Sequence, residues 1–322
     1  MVRVGVQAAL PERLLEYIPK DVELVRIPAE VTEPLDVDFW VLPFSKKEAQ
    51  AIVPHLRGLK AAQTITAGVD SIVGWMPEGV TLCDGRGIHD VSTSEWVVTA
   101  ILATYKRFPF YRDLQNKQEW KGQSQDSVFT DDDSNSNGLY RILGEDVHGK
   151  KILIVGYGSI GSAIEARLTP FGAEFIRIAR TPKQNPEVHA ISELHALLPK
   201  ADVVVLIVPL TEQTHGFFGA KEMALMQRGA LLVNGARGPI VVTDALVDAL
   251  NAGHIRAAVD VTDPEPLPAG HPLWTAPNLL LTPHVAGSTP EFITRAFKFV
   301  GEQVKRFAKG EPLENIVTDA GY

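Results

Sequence analysis

Short runs rich in Val, Ile and Leu recur along most of the 322-residue chain, separated by segments whose apolar residues fall at helical spacing. In the first part the strand-like runs are residues 2–6, 22–27, 39–44, 60–66 and 80–83. Helix-like segments such as 11–18 and 46–55 lie between them. Strands that alternate with helices predict a parallel sheet covered on both faces. A second and more regular series follows at 152–155, 174–178, 202–209, 230–234, 257–261 and 279–282. Its near-continuous apolar content is that of strands buried on both sides. Residues 290–307 then read as an amphipathic helix, with Ile293, Ala296, Phe297, Val300, Val304 and Phe307 on one side.

Between the two series the pattern predicts a long helix from about Ser94 to Leu114. Ser92, Thr93 and Ser94 offer capping hydroxyls, and Glu95 would sit in the first turn. The stretch 123–137 is polar and acidic, with almost no apolar pattern, and reads as a loop or insertion. Its adjacent Asp131, Asp132 and Asp133 are expected to be solvated rather than to bind a metal.

Composition narrows the function classes. A net charge of −8 and no concentrated run of Lys and Arg argue against nucleic acid or an anionic membrane as partner. The N-terminal residues lack the apolar core of a signal peptide, and no apolar run approaches the ~20 residues of a membrane span. The single cysteine, Cys83, excludes an intrachain disulfide and reads as a small buried residue at a strand end rather than a catalytic thiol. These features predict a cytoplasmic globular enzyme of two α/β domains.

The sharpest motif is Gly156-Tyr-Gly158-Ser159-Ile160-Gly161, which follows a buried-type strand and opens a helix. In that context Gly156 permits a tight turn, Gly158 lets the backbone approach a pyrophosphate, and Gly161 allows close helix–strand packing. The unpaired amides at the helix start then favour a diphosphate. The next strand ends at Ala179, where a site specific for NAD usually carries a carboxylate for the ribose hydroxyls. Arg180 and Thr181 follow instead, and a guanidinium suits a 2′-phosphate. NADP(H) is therefore the expected cofactor, with NAD(H) left open.

Three candidate reacting groups fall just after successive strands of the second series, where open parallel sheets place their ligands: Arg237, Glu265 and His284. A histidine suits proton transfer to a carbonyl oxygen. A neighbouring carboxylate would orient the ring, and the planar fork of an arginine would grip a substrate carboxylate. With the hydride coming from the dinucleotide, histidine, carboxylate and arginine together make a complete site for reducing a 2-oxo acid.

These segments, with 206–214, 232–238, 257–261 and 282–284, resemble the D-isomer-specific 2-hydroxyacid dehydrogenases, and among them most the glyoxylate/hydroxypyruvate reductases. The resemblance spans most of residues 150–288. It implies a Rossmann-type cofactor domain (96–288) inserted in a flavodoxin-like substrate domain (1–95 and 289–322), both doubly wound parallel sheets, with a cleft that closes between them. It assigns Arg237, Glu265 and His284 to catalysis and Asp260 to the nicotinamide carboxamide. Val208 and Pro209 would lie against the cofactor, and Thr214, Gly235 and Gly287 would complete its binding site. The Ala67, Gly68 and Val69 amides would bind the substrate carboxylate. Leu42, Pro43 and Phe44 are expected to wall the substrate side chain, and their bulk favours a short acid such as glyoxylate, hydroxypyruvate or pyruvate. The resemblance also implies a homodimer, in which the insertion 123–137 lies near the dimer arm. Two alternatives stay open. A formate dehydrogenase shares the fold but carries glutamine in place of Glu265, and a dinucleotide-sensing co-repressor could retain the same residues without turnover.

Overall fold

The computed structural model describes residues 1–70, 72–120 and 144–318; the stretch 123–137, with Asp131–Asp133, lies outside them. Contacts divide the chain into two compact units, Met1–Ser92 with Gly287–Tyr322, and Thr93–Ala286.

The first unit holds a parallel sheet of β1 (Arg3–Gln7), β2 (Glu23–Ile27), β4 (Phe39–Val41), β6 (Ala61–Gln63) and β7 (Thr81–Cys83) in the order β2-β1-β4-β6-β7. Two short strands, β3 (Leu35–Asp36) and β5 (Leu56–Arg57), pair separately. Helices α1 (Glu12–Leu15), α2 (Lys46–Ile52) and α9 (Phe292–Lys309) complete it. Alternation along each strand feeds two cores. Phe39 and Val41 pack with Phe297, Val300 and Val304 of α9, whereas Trp40 faces Ile27, Val37 and Ile52. Each such apolar side chain contributes roughly 1.5–3 kcal/mol when fully buried. The one-sided pattern read at 290–307 is the buried face of α9.

The second unit contains an eight-stranded sheet: β8 (Lys151–Val155), β9 (Glu174–Ala179), β10 (Lys183–Gln184), β11 (Glu187–Ala190), β12 (Val203–Leu206), β13 (Leu231–Asn234), β14 (Arg256–Val259) and β15 (Leu279–Leu281). Their order is β10-β11-β9-β8-β12-β13-β14-β15, parallel except for the small β10–β11 hairpin at one edge. The order reverses about β8 and β12, which is the switch point of a Rossmann sheet. Helices α5 (Ser159–Leu168), α6 (Leu194–Leu197), α7 (Ala220–Leu225) and α8 (Thr243–Asn251) connect the strands. Ile152 and Ile154 feed one face, and Leu153 and Val155 the other.

The long helix expected from Ser94 to Leu114 is two helices, α3 (Asp90–Tyr105) and α4 (Phe108–Asn116). Pro109 has no N–H to give the carbonyl four residues back. That carbonyl, of Tyr105, accepts instead from Glu145 N–H at 2.8 Å, and Arg107 turns left-handed at φ 54°. The helix also starts earlier than expected, so Ser92, Thr93 and Ser94 are buried within α3 rather than capping it. The strands are shorter than their apolar runs: residues 60–66, for instance, give only Ala61–Gln63. Apolar residues beyond a strand end are buried by loops, which periodicity cannot distinguish from strand.

Candidate active site

The carboxyl ends of β8, β12, β13, β14 and β15 carry the candidate residues of the second unit. After β8 the chain turns at Gly156, φ 107°, where a Cβ would come within 2.5 Å of the Ile207 carbonyl oxygen. A Cβ on Gly161 would lie 2.7 Å from the Gly156 carbonyl oxygen, so α5 approaches the strand end closely. At Gly158 a Cβ would meet nothing within 4 Å; its surface faces open space. No side chain caps α5, and a helix start leaves the Ser159, Ile160 and Gly161 amides without intrahelical acceptors. The cradle thus fits the diphosphate of a dinucleotide, an anion received by backbone donors at a positive dipole end. Tyr157 lies under the Arg177 guanidinium, 5.6 Å from ring to charge, and Arg177 Nε donates to Glu165 at 2.6 Å. Burial opposes ionisation of Glu165, but the Arg177 and Tyr157 hydrogen bonds prevail and hold its carboxyl below the usual range.

Arg180 and Thr181 follow β9 and are exposed. Val208 and Pro209, half-buried, follow β12. Thr214 Oγ1 donates to the Pro209 carbonyl at 2.6 Å and accepts from Thr211 N–H at 2.8 Å, which closes that loop. Gly235 N–H reaches the Leu206 carbonyl at 3.3 Å.

Arg237, Glu265 and His284 follow β13, β14 and β15, neighbouring strands in register. His284 Nδ1 and Glu265 Oε1 lie 2.6 Å apart. Both side chains are a little under half exposed. With the carboxylate accepting from Nδ1, the ring's Nε2 remains to face a ligand. His284 itself sits at φ 55°, a left-handed conformation that costs a non-glycine residue about 1–2 kcal/mol. Its N–H donates to the Asp260 carbonyl at 2.6 Å. Asp260 is buried, and its carboxylate accepts from the Val285 and Ala286 amides at 2.9 and 2.7 Å. Arg237 is half-buried, and its Nη1 donates to the Ala236 carbonyl at 2.8 Å.

Asn234, which the sequence reading passed over, builds the turn that presents Arg237. Its Oδ1 accepts from Ala236 N–H and its Nδ2 donates to the Arg237 carbonyl, both at 3.1 Å. A polar residue ending an otherwise apolar strand was the available signal. Gly238 lets this turn pack on the next, since a Cβ there would lie 1.9 Å from the Thr262 carbonyl oxygen.

In the first unit, Ala67 and Gly68 are half-buried and Val69 is buried. Gln63, fully buried, donates to the Thr64 and Asp84 carbonyls at 2.8 and 2.9 Å and so clips the turns after β6 and β7. Phe44 is exposed and stands 5.9 Å from the Phe292 ring. Leu42 is not part of an exposed wall: it is buried in the core beside Trp40 and Ile52, because it continues the inward alternation of β4. Gly287, the first residue past the second unit, packs on His89, with a Cβ position 2.7 Å from its Nδ1. Cys83 is buried as expected, and burial pushes its thiol up to about 12. Among the described residues no cluster of His, Cys, Asp and Glu could hold a metal, and no helix is long and apolar enough to cross a membrane.

A family profile described as D-isomer specific 2-hydroxyacid dehydrogenase, NAD binding domain, matches residues 98–286. A chloroplastic/mitochondrial formate dehydrogenase of Arabidopsis thaliana is 34% identical over 271 residues, covering 80% of this chain and 66% of that one. A glyoxylate reductase of Thermococcus gammatolerans is 30% identical and covers 96% of this chain and 93% of its own. Among solved structures, an NADPH-dependent glyoxylate/hydroxypyruvate reductase from Sinorhizobium meliloti, in complex with NADP and sulfate, superposes with a TM-score of 0.82. It is 26% identical and covers 100% of this chain and 99% of its own.

Proposed function

The chain belongs to the D-isomer-specific 2-hydroxyacid dehydrogenase family, and from that premise we propose that it reduces a short 2-oxo acid of the glyoxylate or hydroxypyruvate type with NADPH. Members of the family are oxidoreductases that use a nicotinamide dinucleotide. The observation that carries the proposal is the 2.6 Å pair of His284 and Glu265, which follow β15 and β14, the strands next in order to the β13 that Arg237 follows. Reduction of a 2-oxo acid needs a proton for the carbonyl oxygen, and this pair is built to deliver one.

The nicotinamide, when bound, supplies the hydride. The Gly156–Gly161 turn and α5 would hold its diphosphate. Arg180 and Thr181 would receive the adenosine ribose, where Ala179 leaves no carboxylate to repel a 2′-phosphate. An NADP-bound relative of the same fold supports this choice. Arg237 grips the substrate carboxylate through paired N–H donors and polarises the neighbouring carbonyl. His284 Nε2 gives its proton to the carbonyl oxygen as negative charge develops there. Glu265, accepting from Nδ1 at 2.6 Å, fixes the tautomer and holds the ring in place for the transfer. In the first unit, the amides of Ala67, Gly68 and Val69 form a carboxylate-binding turn, and Phe44 limits the side chain accepted. A homodimer and a cytoplasmic location belong to the same proposal; the family resemblance supports the first and the free thiol of Cys83 the second.

The test is NADPH oxidation across a set of 2-oxo acids, with His284→Ala as control. Turnover with glyoxylate or hydroxypyruvate, weak turnover with phenylpyruvate and a higher kcat/KM with NADPH than NADH are expected. NADPH binding without turnover of any short 2-oxo acid would leave a sensing role in its place. Formate with NAD+ is the counter-substrate, given the plant relative, and the Glu265–His284 pair predicts that it is not turned over.

A further inference from the structure

The turn that carries His284 hangs from one buried carboxylate. Asp260 is 2% exposed, and no cation pairs with it among the described residues. Three neutral donors hold it: the amides of Val285 and Ala286, and the Thr282 hydroxyl, whose Oγ1 lies 2.6 Å from Asp260 Oδ1. The same Oγ1 accepts from the indole Nε1–H of Trp96, in α3, at 3.0 Å. A hydroxyl has one proton to give. With the indole N–H directed at its oxygen, the threonine can only donate toward the carboxylate.

We propose that Trp96 and Thr282 are positioning residues for the reaction, acting through Asp260 to hold the backbone of the 284–286 turn. The proposal rests on the reading of His284 as the proton donor. Glu265 bonds the far end of the imidazole and sets its tautomer, but a bond to the ring does not fix the Cα from which it hangs. His284 occupies a left-handed backbone conformation, which persists only where the surroundings over-determine it. Asp260 supplies that constraint with its carbonyl on His284 N–H and its two carboxylate oxygens on the next two amides. The terminal torsion of an aspartate is broad, so a third donor is needed to hold the carboxylate plane. Thr282 is that donor, and Trp96 sets its direction. Arg237, which grips the substrate carboxylate, hangs from a different strand end, tied by Asn234. Loss of the relay therefore acts on proton delivery rather than on binding.

The experiment compares Thr282→Val, Thr282→Ser and Trp96→Phe in the full-length enzyme, with glyoxylate and NADPH as probes and amide hydrogen exchange as a second readout. Thr282→Val is expected to lower kcat about ten- to a hundredfold, the scale of a small misplacement in an active site, with KM and NADPH affinity within about twofold. Its Val285 and Ala286 amides are expected to exchange faster. Thr282→Ser keeps the hydroxyl and restores both. Trp96→Phe keeps the ring's bulk, loses the N–H, and falls between; it carries the test alone if Thr282→Val does not fold. Adding Trp96→Phe to Thr282→Val should cost little more than Thr282→Val alone, because both break one chain. Unchanged exchange at Val285 and Ala286, or a loss seen only in KM, overturns the relay. His284→Gln separates the two layers: if it stays active, the reading of His284 fails, whereas its inactivity beside a fully active Thr282→Val defeats the relay alone.

Discussion

Two aspartates stand at equivalent places in the two units, each buried and each directly after a parallel strand, yet they are partnered differently. Asp84 follows β7 in the first unit and is wholly buried. Its Oδ1 accepts from Arg86 N–H and Nε at 2.9 and 3.0 Å, while Oδ2 has no partner among the described residues. Burial pushes its carboxyl above the usual range, against the pull of Arg86. Asp260 follows β14 in the second unit, and both of its oxygens accept from neutral donors. The lesson concerns which groups a buried charge organises. Asp84 draws on a side chain two residues away and shapes little beyond its own turn. Asp260 draws on a turn more than twenty residues along the chain, the one that presents His284.

The contrast can be broken at its strong end first. Asp260→Asn sets an amide NH2 against backbone N–H donors, so kcat is expected to fall about a hundredfold or more, measured with the substrate found in the oxo-acid screen. A variant with near-normal kcat would reduce Asp260 to the same standing as Asp84. Next, Arg86→Met strips Asp84 of its charged donor. It is expected to destabilise the protein by about 1–3 kcal/mol at pH 7, read by denaturant unfolding, and by less at pH 4, where the carboxyl can take up a proton.

The third test is the sign of a pH dependence. Asp84 has a raised folded-state value, so its stabilising contribution is present below the unfolded value of about 3.9 and is lost as pH rises through the folded one. Asp84→Asn removes that slope. The variant's Tm should gain on the parent's between pH 4 and pH 7 by a few degrees, since ~1 kcal/mol moves Tm by about 2–4 °C in domains of this size. A gap that narrows instead would show that the carboxylate is stabilising when charged. The smallest effect belongs to the neighbour, Cys83. With its thiol held at about 12 by burial and the adjacent Asp84, it should resist iodoacetamide at pH 8 in the native protein and react after unfolding. Native labelling would mean that the end of β7 opens readily.

Much of this was legible in the sequence where one physical pattern dominates. Buried parallel strands such as 152–155 and 203–206 are apolar on both faces, and the glycine spacing at 156–161 encodes a turn that only small residues can make. The three candidate groups could be named because each follows such a strand. The pairing of Glu265 with His284 was expected from their chemistry; the two are 19 residues apart, and the fold brings them to 2.6 Å. The break at Arg107 was missed because the apolar spacing runs on through Pro109, although the missing N–H of that proline was in plain view. Leu42 was assigned outward because strand ends are hard to place, and its neighbour Phe44 does lie exposed. Asn234 and Thr282 were passed over for a different reason. Their work is done by hydrogen bonds to backbone and to buried side chains, which leave no periodic trace.

The small hairpin of Lys183–Gln184 against Glu187–Ala190 has a consequence for handling the protein. A wide parallel sheet ordinarily offers its outermost strand as a template on which another chain can add, the route to stacked, insoluble material. Here the chain doubles back on that border with two exposed residues, one of them a lysine. So short and charged a margin gives an incoming strand almost nothing to zip onto at this border, which leaves the opposite one, at Leu279–Leu281, as the place where such growth would have to start.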